Sequence, residues 1–119
     1  MGILAGLISE NVDRHTQDIT TLTATASITT ADHSGRTLLM GEVGGDAAAT
    51  FTLPAATGTG SVFKFVVSVV NTSNYLIKVA DATDTIDGQI IITDADGTAA
   101  TSFVTAAASD TITLNGTTT

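Results

Sequence analysis

The chain has 119 residues, with 12 acids against 4 bases, a formal net charge of −8, and neither Cys nor Trp. Arg14, Arg36, Lys64 and Lys78 are scattered along it, so no basic stripe is available for a phosphate backbone, and nucleic-acid binding is not expected. The lack of Cys excludes disulfide and thiolate chemistry, and the length suits one domain whose core, with 4% aromatic residues, is filled mainly by Val, Ile, Leu and Ala.

Residues 1–19 stand apart from the remainder. Leu4, Leu7, Ile8, Val12 and Ile19 fall near one helical face, whereas Gly2 and Gly6 weaken a helix. The spacing predicts an N-terminal arm or short helix over 1–19, with Leu4, Leu7, Ile8 and Val12 as candidate docking contacts. The opening MGILAGLISENV has no basic n-region, and no apolar run is long enough to span a bilayer, so neither a secretory signal nor a membrane role is expected.

From Thr20 the period changes to two. In TTLTATASITT, Leu22, Ala24, Ala26 and Ile28 alternate with hydroxyl side chains, which predicts one strand with a buried face. ADHSG (31–35) reads as a turn, RTLLMGE (36–42) as a strand and VGGD (43–46) as a turn. AAATFTL (47–53) places Ala47, Ala49, Phe51 and Leu53 on one face. SVFKFVVSVV (61–70) is apolar on both faces except at Lys64 and Ser68, so it is expected to be a central strand or one whose second face meets another subunit. YLIKVA (75–80), QIIIT (89–93), SFVTA (102–106) and DTITL (110–114) follow, with turns at NTSN, DATDTIDG and DADG. The pattern predicts an all-β domain over 20–119: a small antiparallel sandwich or barrel of about eight short strands, jelly-roll-like. No strand–helix alternation supports a parallel βαβ sheet.

Three stretches invite a chemical interpretation. TLPAATGTG resembles a phosphate-cradling loop, but such a loop needs a helix N-terminus behind its glycines, and here a strand pattern follows. Gly58 and Gly60 are therefore expected to be corner residues with unusual φ. Asp32, His33 and Ser34 supply the residue types of a hydrolase triad. Adjacent positions cannot give nucleophile, base and orienter their separate directions, so a polar turn bonding local backbone is expected. Asp81, Asp84, Asp87, Asp94 and Asp96 are acid-rich, but lack the ligand spacing and distal Glu of a Ca²⁺ loop. No catalytic residue, metal ligand or cofactor is expected.

At LTATASITTADHSGRTLLM, TLPAATGTGSVFKFVV, SNYLIKVAD and SDTITLNGTTT the chain resembles the capsid decoration (head-stabilising, cement) proteins of tailed bacteriophages. The likeness covers most of 20–119, and 1–19 matches less well. The resemblance implies a structural virion protein, a β-rich homotrimer on the outer surface of a filled head, clamping neighbouring subunits of the major capsid protein. On that basis Leu4, Leu7, Ile8 and Val12 become candidate capsid or subunit contacts. The alternative is a β-structured tail or fibre module that binds a host surface; more remote is a small-molecule or carbohydrate-binding barrel.

Overall fold

The computed structural model describes residues 18–44, 47–69, 72–93, 97 and 99–116. The chain is mostly β and sandwich-like, with several sheets and no closed barrel. In order come β1 (Ile19–Leu22), β2 (Ala26–Ser27), α1 (Thr30–His33), β3 (Thr37–Met40), β4 (Ala49–Thr52), β5 (Lys64–Val67), β6 (Tyr75–Lys78), β7 (Gln89–Thr93), β8 (Ala100–Val104) and β9 (Thr111–Leu114). Ile19, expected in the helical stripe of the arm, is instead the first residue of β1.

The first six strands alternate between two sheets. One sheet has the order β1-β3-β5 and the other β2-β4-β6-β9, and every pair among β1 to β6 is parallel. The chain thus winds as a flattened coil, each turn contributing a strand to either sheet. This corrects the expected antiparallel, jelly-roll-like pairing. Parallel neighbours normally imply helical crossovers; here the crossover is a strand of the opposite sheet, which is why no strand–helix alternation announced it. Antiparallel pairing is confined to β9 on β6 and to the β7–β8 hairpin.

Two further expectations change. TTLTATASITT is not one strand: β1 and β2 belong to different sheets, separated by an exposed corner at Thr23–Thr25. Leu22 and Ile28 are buried as the alternation required, but Ala24, at the corner, is exposed. SVFKFVVSVV is not a central strand. β5 covers only Lys64–Val67 and ends its sheet, with its outer edge facing no described strand.

The core lies between the two sheets. Leu38 and Met40 point in from β3, Ala49 and Phe51 from β4, Tyr75 and Ile77 from β6. Register carries these positions from strand to strand: Ala26, Phe51, Ile77 and Ile112 form one row, and Ala49, Tyr75 and Leu114 another. Phe51 is fully buried and stands against Phe65 of the facing sheet and Tyr75 of its own, with ring centroids 6.2 Å apart in each pair. On the outer face of the same sheet the rows read Ser27–Thr52–Lys78–Thr111 and Thr50–Leu76–Thr113, so hydroxyls meet solvent there.

Polar ties hold successive turns together. The buried Tyr75 hydroxyl donates to the Gly41 carbonyl at 3.0 Å, joining β6 to the end of β3. Ser68 donates to the Met40 carbonyl through both N–H (3.1 Å) and hydroxyl (3.0 Å). Gly41 has no room to spare: a Cβ there would lie 3.2 Å from the Thr21 methyl.

Candidate interaction surfaces

The loop from Leu53 to Phe63, which separates β4 from β5, surrounds an open depression of about 200 Å³. Gly58 and Gly60 adopt φ of +71° and +70°, as expected of corner residues. The loop is stapled rather than poised around a ligand. The Ser61 hydroxyl donates to Thr30 (3.2 Å), Val62 N–H to the Ser34 hydroxyl (3.4 Å), Gly35 N–H to the Val62 carbonyl (2.8 Å), and Ala56 N–H to the Asp84 carboxylate (3.2 Å). No ionisable side chain lines the depression, and its volume is below the roughly 300–1,000 Å³ typical of small-molecule sites.

Asp32, His33 and Ser34 lie on α1 and its C-cap, one helical turn where the sequence suggested a simple turn. Thr29 caps this turn, accepting from Asp32 N–H at 3.2 Å and donating to the Asp32 carboxylate at 2.7 Å. His33 Nδ1 accepts from Thr29 N–H at 3.0 Å. The Ser34 hydroxyl, expected to bond locally, instead accepts from Val62 N–H across the fold. The Asp32 and His33 side chains are thus both committed to Thr29 and Ser34 to Val62, and the three do not form a relay.

The acidic loop is equally committed. Asp81 Oδ1 accepts from the Thr83 hydroxyl, from Thr83 N–H at 2.7 Å and from Asp84 N–H at 3.3 Å, and these bonds, the hydroxyl first, hold its carboxyl below the usual aspartate range. Among the described residues no three His, Asp or Glu side chains converge as metal ligands. Tyr75 is pushed the other way: burial, and secondarily the charge of Glu42, raise its phenol above the ordinary range. With its hydroxyl donating to backbone carbonyls, Tyr75 acts as a structural donor.

What the surface does offer is apolar. On the β7–β8 hairpin Ile90, Ile91, Ile92, Phe103 and Val104 are 50%, 61%, 56%, 55% and 78% exposed. Among the described residues neither strand pairs with anything but the other. Phe103 is thus on the surface, whereas Phe63 and Phe65 pack against the core. Around β5, Val62, Val67 and Val69 are also exposed, interleaved with the exposed Lys64. Leu4, Leu7, Ile8 and Val12 lie outside the described residues. The sequence reading gives QIIIT and SFVTA as strands but not their exposure; the one available signal was three consecutive isoleucines, which occupy both faces of a strand at once.

Comparison of the chain with protein-family models, with curated proteins and with solved structures gives no match.

Proposed function

We propose that this chain is a structural virion protein that binds the exterior of a bacteriophage capsid and stabilises contacts between subunits of the major capsid protein, as a homo-oligomer, with a trimer favoured. The observation that carries the proposal is a body without a reactive cluster among its described residues, bearing a projecting hairpin with five exposed large apolar side chains. The segment-by-segment resemblance to decoration proteins supplies the biological setting. The wound, hydrogen-bonded sheets suit a load-bearing part, and a net charge of −8 suits an outer surface turned away from packaged DNA. On this reading the protein performs no catalysis, and Leu4, Leu7, Ile8 and Val12 contribute contacts to the capsid or a neighbouring copy.

The parallel winding also favours a second reading, a tail or fibre module, because coils of this kind extend readily along one axis. Copy number decides between the two. Quantitative mass spectrometry of purified particles, with reconstruction of the head, is expected to find hundreds of copies on the outer shell. A handful of copies at the tail would sink the decoration role. Deleting residues 1–17, which stops short of β1, is expected to weaken capsid binding while leaving the melting temperature nearly unchanged.

A further inference from the structure

We infer that the β7–β8 hairpin is the surface through which copies of this chain associate, one face of each hairpin seated on the opposite face of the next. The inference rests on the self-association part of the reading above, but not on where the assembly sits.

Register sorts the hairpin into two sides. Ile90 faces Phe103 and Ile92 faces Thr101, so Ile90, Ile92 and Phe103 share one side; Gln89 faces Val104 and Ile91 faces Ser102, so Ile91 and Val104 share the other. Both sides are exposed. A lone two-stranded hairpin is marginal in water, and this one gains no third strand from the described residues of its own chain.

Three features point to a second copy as the occupant. The strands QIIIT and ATSFV contain no charged residue, in a chain of net charge −8. Two such chains repel wherever their acids meet, and an uncharged patch is where they can touch without that cost. The five apolar side chains leave exposed on the order of 550 Å² over the two sides together, so each side supplies the apolar centre of an interface, and neighbouring residues complete the roughly 800 Å² per partner of a standard stable one. Finally, the two sides are different. A two-fold dimer covers the same side of both hairpins and leaves the other side wet. Head-to-tail packing covers both sides of every copy and closes into a ring when the rotation allows. The exposed valines around β5 are a weaker choice, since Lys64 stands among them and the adjoining Phe63 and Phe65 already serve the core.

The test uses the full chain and three variants: Phe103→Glu on one side, Ile91→Lys on the other, and the two combined. Sedimentation velocity and native mass spectrometry across the micromolar range report assembly, and circular dichroism reports folding. The wild-type chain is expected to form a discrete oligomer, and each single variant to lose association at least tenfold. The combined variant is expected to regain it, because Glu of one copy then meets Lys of the next. Should a variant lose its fold, Phe103→Thr and Ile91→Thr keep strand preference and test the same loss of association. A wild-type monomer throughout, or single variants that assemble normally, overturns the inference. Single variants that stay assembled but fail to bind capsid shells also overturn it, and give the hairpin to the capsid instead. Failure of the combined variant to reassemble overturns the head-to-tail arrangement. Capsid binding is scored in the same samples: assembly without it supports the hairpin interface and sinks the virion role, whereas monomers that bind capsids do the reverse.

Discussion

Replacing Phe51 by Ala removes the ring that joins both sheets. Phe51 is fully buried, and its ring stands 6.2 Å from Phe65 across the core and 6.2 Å from Tyr75 beside it. Burial of the side chain contributes about 1.5–3 kcal/mol, each ring pair adds about 0.5–1.5 kcal/mol, and measured Phe→Ala losses at such sites are about 3–5 kcal/mol once the cavity is included. For a domain this size total stability is on the order of 6–18 kcal/mol. The variant is therefore expected to fold but to melt roughly 10–25 °C lower. Urea denaturation followed by far-ultraviolet circular dichroism, at one fixed protein concentration so that association does not shift the midpoint, measures the loss. Val62→Ala, at a residue 67% exposed and outside the hairpin, serves as the control and is expected to cost under about 1 kcal/mol. A double-mutant cycle between Phe51 and Phe65 is expected to show coupling of about 0.5–1.5 kcal/mol. A Phe51→Ala loss no larger than the control, or zero coupling with Phe65, would refute the placement of the core between two facing sheets.

Tyr75→Phe strips the donor from the buried Gly41 carbonyl and is expected to cost about 1–3 kcal/mol by thermal melting; a neutral result would mean that this tie does not hold the turns together. Ala108 is a non-glycine residue at φ +62°, so Ala108→Gly is expected to raise stability by about 0.5–1 kcal/mol, the relief of left-handed strain outweighing the added chain entropy; a lower melting temperature refutes it. Asp81 has a depressed carboxyl pKa, so its contribution to stability is present above about pH 4 and is lost as pH falls through the folded value. Thr83→Val removes the largest cause, and the Asp81 carboxyl is expected to titrate nearer the ordinary aspartate range by NMR; an unchanged titration refutes the assignment.

Alternation along the chain identified strands and their inward residues well: Leu22, Ile28, Ala49 and Phe51 are buried as their period required. It could not identify partners, because period two fixes which face a side chain takes and says nothing about which strand lies alongside. A regular repeat would have revealed the winding. Ladder partners, however, are 18 positions apart from Ile19 to Thr37 but 27 from Thr37 to Lys64, so no fixed spacing is written in the sequence. The corner at Thr23–Thr25 was invisible for a related reason, since small residues preserve the alternation while the backbone passes from one sheet to the other. At the candidate surface, the sequence pattern placed corners at Gly58 and Gly60, where φ is positive, and a polar turn at Asp32–Ser34, which is one helical turn with its C-cap. It did not distinguish the exposed strand β7 from a buried one, because a run of apolar residues on both faces is the pattern expected of a strand buried on both faces.

The antiparallel placement of β9 sets an order of events during synthesis. Each strand of the winding pairs with the one two strands earlier, so β3, β4, β5 and β6 find partners already made as they leave the ribosome, and folding can propagate turn by turn. β9 then covers the free side of β6, but Thr111–Leu114 cannot arrive until the whole hairpin has been translated. During that interval β6 presents a row of unpaired backbone groups, the kind of edge that recruits other nascent chains. The length of the hairpin insertion therefore acts as a timer on how long the growing polypeptide remains open to misassembly.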